Sequence, residues 1–170
     1  MDRKTFLQGL LAMSTIGACS GKPGTSRFKT YHGPEVTRVV VYKSARNMYL
    51  LHRDRVLKRY HIDLGFAPDG HKQAEGDGRT PEGDYLVDRR NPNSAFHLSL
   101  GLSYPNAQDR ARARALGRDP GGDIFIHGDP RLSRRLRGPD WTAGCIAVTN
   151  DEIEDIYAMV TTGTPVSIYP

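Results

Sequence analysis

Apolar and polar residues alternate in short blocks along most of this chain. Val36 to Lys43, with Val39, Val40, Val41 and Tyr42, predicts a strong strand. Asn47 to His52 and Val56 to Asp63 predict a hairpin about Arg53-Asp54-Arg55. Gly65 to Gly78 is polar and reads as a long loop. Tyr85-Leu86-Val87 predicts a short strand, Asn91 to Asn93 a turn, and Ala95 to Leu102 a further alternating strand. Asp109 to Leu116 holds helix formers and then meets Gly117, and Asp123 to His127 is a short apolar strand. From Thr149 to Val160 the period becomes helical, with Ile153, Ile156, Tyr157 and Val160 on one face. Thr149 and Glu152 match a capping box there, and Gly163 ends the helix. Val166 to Tyr169 predicts a last strand. Together these segments predict one mainly β domain over 35–170 with one or two helices.

Composition narrows the picture. The chain has 170 residues, 38% hydrophobic and 25% charged, which suits a single packed domain and excludes wholesale disorder. Gly at 18 and Pro at 11 favour turns and short strands. No apolar run reaches the ~18 residues of a membrane span, which excludes a multi-pass membrane protein. Two Cys exclude a disulfide-rich scaffold and a four-thiolate zinc site. His71 and Glu75 are spaced i, i+4 but sit in the Gly-rich loop without a third ligand, so no metal is expected. Net charge is +5, which suits an anionic partner. The basic run Arg110, Arg112, Arg114, Arg118 lacks interleaved aromatics, so no nucleic-acid partner is expected. Its default reading is a solvated helix face; its functional reading is contact with a substrate carboxylate or an anionic surface.

The N-terminus carries an address. Arg3 and Lys4 precede an apolar or small stretch from Phe6 to Ala18, the shape of a secretory signal. Ile16-Gly17-Ala18-Cys19 resembles the bacterial lipobox. That resemblance implies a lipoprotein signal peptide over 1–18, lipid attachment at Cys19, and a tether over 19–34 rich in Gly, Ser and Lys. The domain would then be exported and lipid-anchored in the bacterial cell envelope, facing the periplasm. Ser20 in place of an acidic residue points to the outer membrane in a Gram-negative cell. Arg3-Lys4-Thr5-Phe6-Leu7 also approaches a twin-arginine pattern. The competing reading is a plain signal with an incidental Cys. With Cys19 lipidated, Cys145 is alone in a thiol-oxidising compartment, where a lone Cys is either buried and inert or kept for chemistry.

The candidate chemistry lies toward the C-terminus. Ile124-Phe125-Ile126-His127-Gly128 ends an apolar strand on His127, and fourteen residues separate His127 from Thr142-Ala143-Gly144-Cys145-Ile146-Ala147-Val148. A Cys nucleophile needs an imidazole to take its proton and backbone N–H groups for the developing oxyanion. Gly144 lets the backbone approach a substrate closely. By spacing alone, His127 reads equally as a core histidine and Cys145 as a small buried hydrophobe.

The order His127-Gly128, then Thr142, Gly144-Cys145-Ile146, Val148 and Asn150, resembles the L,D-transpeptidase, or YkuD, catalytic domain. Gly78-Arg79-Thr80-Pro81-Glu82-Gly83-Asp84-Tyr85 is similar to that family's G-x-T-P-x-G-x-Y segment, and the strand and hairpin from Val39 to Gly65 agree. The resemblance spans 35–170 and implies a β-sandwich-like or barrel-like fold. It implies a cysteine acyl-transferase acting on peptidoglycan stem peptides. Cys145 would form a thioester, His127 would serve as base and then acid, and amides near Gly144, with Gly128 beside His127, would serve the oxyanion and the close backbone approach. The acyl acceptor would be an amine or water. No metal or organic cofactor is implied.

The sequence departs from the common family pattern at Thr142-Ala143 and at Ala147, where many members have Ser-His before the Gly-Cys and an Arg after it. This leaves the group orienting His127 and the cation receiving the substrate carboxylate open. Arg79, Arg131, Arg134, Arg135 and Arg137 are candidates for the cation, and Thr142, Trp141, His97 and Tyr104 for lining the cleft. The Trp141-Thr142-Ala143 variant is similar to a subgroup that includes hydrolases, so L,D-carboxypeptidase activity or release of a peptidoglycan-linked protein stands as an alternative. A non-catalytic peptidoglycan-binding lipoprotein is another. A sortase would need a later Arg, and none follows Cys145; a papain-like peptidase has Cys before His.

Overall fold

The structure, a computed structural model, describes residues 26–129 and 138–170. The expected signal, the lipobox and Cys19 lie outside the described residues, as do Arg131, Arg134, Arg135 and Arg137. The strands are β1 (Arg38–Tyr42), β2 (Asn47–His52), β3 (Arg55–His61), β4 (Gly83–Asn91), β5 (Ser99–Leu102), β6 (Phe125–His127), β7 (Ile146–Ala147) and β8 (Pro165–Tyr169). The helices are α1 (Ala107–Ala115) and α2 (Asn150–Met159).

The strands form one sheet in the order β3-β2-β1-β8-β4-β5-β6-β7. Neighbours run antiparallel except β1 with β8 and β6 with β7. The sheet curls into a half-barrel. Just past β3, Asp63 exchanges two backbone hydrogen bonds of 2.9 Å with Ala147 of β7. Thr142 takes the next rung, donating to Leu64 O at 3.1 Å and accepting from Phe66 N at 2.9 Å. The His127 and Cys145 segments lie side by side through the parallel β6–β7 pairing, with His127 opposite Ala147.

The core lines the inside of the curl. Val39, Val41, Met48, Leu50, Val87, Leu100, Ile126 and Ile168 are buried there, contributed by alternate positions on successive strands. All four residues of β5 are buried, as expected of a strand covered on both faces. Helix α2 covers it with Ile153, Ile156, Tyr157 and Met159 and is capped as expected. Thr149 Oγ1 accepts from Glu152 N, and Glu152 Oε2 accepts from Thr149 N at 2.8 Å. The N-terminal segment lies along the same helix. Lys29 Nζ is 2.8 Å from Asp155 Oδ1 and donates to Asp151 O, and Tyr31 packs on the core.

The expectation of a mainly β domain with one or two helices holds for the described residues, and the differences sit at element ends. β5 begins at Ser99 rather than Ala95, because His97 has φ 70° and breaks the extended backbone. β6 begins at Phe125 rather than Asp123, where φ is 54°. β4 continues to Asn91 through Asp88, Arg89 and Arg90, a polar stretch held by pairing with β5 across a bulge. β7 is two residues that only a neighbour could define.

Candidate active site

Cys145 stands on a turn whose shape is imposed by packed main chain. Gly144 has φ 133°, a conformation open to glycine. A Cβ there would lie 2.7 Å from Arg79 O and 3.3 Å from Ile124 Cδ1. Gly65 passes on the other side; a Cβ on it would meet Gly78 O at 2.0 Å and Gly144 Cα at 3.0 Å. Three backbones thus touch beneath the cysteine. Thr142, buried at 4% exposure, locks the turn from within. Its hydroxyl donates to Cys145 O at 2.7 Å and accepts from Gly144 N at 3.1 Å.

The Gly78–Tyr85 segment braces this turn. Thr80 Oγ1 accepts from Gly65 N at 3.1 Å. Asp77 accepts from Lys72 Nζ and from the backbone N–H groups of Gln73, Ala74 and Arg79. Burial pushes the Asp77 carboxyl up, but these donors outweigh it and hold the group down at about 2. Lys43, buried at the end of β1, donates to Thr80 O and to Glu82 Oε1 at 2.8 Å. Arg46 clamps Asp140 through Nε and Nη2, and Asp140 Oδ1 also accepts from Leu64 N at 3.0 Å. That clamp fixes the chain directly before Trp141 and Thr142.

His127 closes β6 and is buried. Its Nδ1 lies 2.6 Å from Gly128 O. A carbonyl only accepts, so the proton sits on Nδ1 and Nε2 is the basic nitrogen. The group orienting the imidazole is therefore the neighbouring main-chain carbonyl. Gly128 in turn donates to Phe96 O at 3.1 Å, and a Cβ on it would meet Asn150 Oδ1 at 2.5 Å and Ile153 Cγ2 at 2.9 Å. Asn150 Oδ1 accepts from Asp129 N, so the first residue of α2 holds the chain after the histidine. Phe96 lies 4.5 Å from the imidazole centroid, and Trp141 meets it edge-on at 5.7 Å.

Cys145 and His127 share a pocket of about 300 Å³, which Asn91, Ser94, Phe96, Ser99, Asp123 and Phe125 also line. Cys145 Sγ lies 3.5 Å from Asp123 O. Burial pushes the thiol pKa up and the Asp123 charge adds to this, against the Phe125 N–H and the Lys72 charge. The shift is away from the thiolate, so attack by this thiol calls for a base. A larger cavity of about 650 Å³ between α1 and β8 contains neither Cys145 nor His127.

The structure brings Cys145, His127, Gly144, Gly128 and Trp141 together and moves other expected residues away. Thr142 is buried, and its hydroxyl is taken up in bracing the turn. His97 turns outward to Glu154 on α2, with Nε2 2.8 Å from Oε1, because its positive φ rotates it off the strand alternation. Tyr104 is buried, packs edge-on against Tyr85, and donates to Pro120 O. Arg79 meets the site through its carbonyl against Gly144. His71 accepts from Glu82 N and lies 3.2 Å from Asp109 Oδ1, so it faces α1 instead of Glu75. No metal-binding cluster occurs among the described residues. The sequence reading missed Phe96, Asp123 and Asn150, whose proximity to the cysteine or histidine is purely tertiary. Asn150 alone left a signal, as the last residue of the motif.

Cys145 and a carbonyl-held imidazole thus line one pocket, the pair of groups that cysteine acyl transfer requires. Residues 36–168 match the L,D-transpeptidase catalytic domain, and the chain belongs to this YkuD family. It is 30% identical over 175 residues to YafK of Escherichia coli strain K12, a protein named for the L,D-transpeptidases. That match covers 95% of this chain and 63% of YafK, so the chain spans less than two thirds of its relative. Pgp2 of Campylobacter jejuni, a helical cell shape determining protein, superposes with a TM-score of 0.60 at 26% identity, over 85% of this chain and 51% of Pgp2. The L,D-transpeptidase of Mycobacterium smegmatis shares the fold, with a TM-score of 0.53 at 14% identity, over 79% of this chain and 59% of that one.

Proposed function

We propose that this protein is a cysteine acyl-transferase acting on peptidoglycan stem peptides. The observation that carries the reading is the shared pocket of Cys145 and His127, with the imidazole fixed by Gly128 O. His127 Nε2 takes the thiol proton as Sγ attacks an amide carbonyl of the stem. The oxyanion develops against the Cys145 N–H, because Gly144 N–H is donated to Thr142 Oγ1. The C–N bond then breaks, the amine leaves with the proton from His127, and a thioester remains. An acceptor amine, or water, attacks the thioester, gives its proton to His127, and releases the acyl group and the thiol. The raised thiol pKa supports proton transfer during attack over a resting ion pair.

The same reading places the domain outside the cytoplasm, anchored in the cell envelope through lipid on Cys19. The Arg3-Lys4 start and the Ile16–Cys19 pattern support that location.

The test is mass spectrometry of defined muropeptides incubated with the protein and with its Cys145→Ala variant. A cross-linked or exchanged product that needs Cys145 is the expected outcome. Cys145-dependent loss of D-alanine, or release of a linked protein, would make water the acceptor. Equal, negligible turnover by both proteins would favour a non-catalytic binding role and overturn the reading.

A further inference from the structure

Helix α1 carries a feature that the catalytic reading leaves unused. Arg110, Arg114 and Arg118 line a cavity of about 590 Å³ with Pro105, Gly117 and Asp119–Gly121. Arg110 and Arg114 are one turn apart on the helix. Gly117, at φ 65°, then reverses the chain: Gly117 N donates to Arg114 O and Arg118 N to Ala113 O. This helix-ending turn folds Arg118 back beside Arg114 instead of letting it diverge. All three arginines are exposed.

Their charges are poorly explained by stability. Among the described residues, none of the three forms an ion pair with a carboxylate, whereas Arg112 pairs with Asp109 on the adjacent face; Arg110 donates to Pro105 O, and Arg114 and Arg118 stay exposed. Arg114 in the last turn suits the helix dipole, but Arg110 gains nothing from it and repels Arg114 across one turn. The one acid in the cavity wall, Asp119, accepts from Gly121 N.

The cavity also has an address relative to the nucleophile. Its far wall ends at Gly121, two residues before Asp123, whose carbonyl touches Cys145 Sγ at 3.5 Å. Two extended residues span at most about 7 Å, so Gly121 Cα lies within roughly 13 Å of the sulfur. This is the reach of a few peptide units.

We propose that Arg110, Arg114 and Arg118 form an anionic subsite that holds the carboxylates of the acceptor peptide while its amine reaches the Cys145 thioester. The inference rests on the acyl-transfer reading above. Guanidinium forks suit carboxylates in pairs, and three arginines lining one cavity suit a peptide with more than one acid group.

Two arms test it. The first measures binding of a tripeptide bearing two free carboxylates, and of its diamide, to the Cys145→Ala protein by calorimetry at low salt. The dicarboxylate should bind about tenfold tighter than the diamide. The double substitution Arg114→Gln with Arg118→Gln should remove that preference, whereas Arg53→Gln, on the β2–β3 turn, should keep it. The second arm follows acceptor use by the protein with an intact Cys145. The same double substitution should raise the acceptor KM about tenfold for the dicarboxylate and leave the diamide KM in place. Equal affinity for both peptides, or a preference that survives the double substitution, overturns the subsite. Thioester formation, read separately by mass, decides the acyl-transfer reading: without a thioester that reading fails, and the binding arm still decides the subsite.

Discussion

Replacing Thr142 by Val separates the strut from its methyl. Valine keeps the volume of the buried side chain, so no cavity opens, but it cannot donate to Cys145 O or accept from Gly144 N. Both partners belong to the nucleophile turn, and Gly144 is buried with it. A buried polar group left without its partner costs about 1–3 kcal/mol. Two such groups, one of them able to find water at the half-exposed Cys145, give an expected loss of about 2–4 kcal/mol. Serine makes the opposite change. It keeps both hydrogen bonds and deletes one buried methyl, at about 1 kcal/mol. Urea unfolding followed by the fluorescence of Trp141, the one tryptophan of the chain, reads both values. Thioester formation, followed by mass, reads the turn's proposed second role, because the Thr142 hydroxyl holds the backbone on both sides of the Cys145 N–H. Thr142→Val should slow it about tenfold or more, and Thr142→Ser should stay within about threefold of the parent. Equal stability and rate for the two variants would refute the strut and return Thr142 to the cleft wall.

Other expectations follow from the same geometry. Cys145→Ala should abolish turnover and His127→Ala should nearly do so, measured by product mass from a defined muropeptide. Gly65→Ala drives a Cβ into Gly78 O and against Gly144 Cα; it should cost about 3 kcal/mol or more in urea unfolding. Asp77, held at about 2 against the ordinary 3.8, stabilises the fold above pH about 4, and that contribution is lost as pH falls through 2. Asp77→Asn should flatten this acid slope, on the order of 1–2 kcal/mol, in melting curves between pH 2 and 5. His97→Ala should lower stability by about 1 kcal/mol through loss of the Glu154 contact, with thioester formation unchanged. Cys19→Ala should release the protein from membranes in fractionated cells, and persistent retention would count against lipidation.

Periodicity and caps were readable along the chain wherever a segment's own residues decide its state. Thr149 with Glu152, and the face of Ile153, Ile156 and Tyr157, define α2 without outside help. The Val39–Tyr42 run and its hairpin do the same for β1 to β3, because β-branched and aromatic residues favour extended backbone. The chemistry of His127 and Cys145 was legible as motif order, and family resemblance raised it above coincidence. The tertiary structure decided the rest. β7 is too short to be seen without β6 beside it, and β4 runs on through Asp88–Arg90 only because β5 supplies hydrogen-bond partners. Thr142 and Thr80 look polar and available in sequence, yet folding buries both as struts under a turn. The carbonyl orienting His127 and the carbonyl touching Cys145 Sγ belong to main chain, which carries no side-chain signature. Local conformation follows from local residues because its energetics reach only a turn or two along the chain. The site depends on contacts between residues far apart in sequence, which the β6–β7 pairing and the closure of the sheet at Asp63 and Ala147 create.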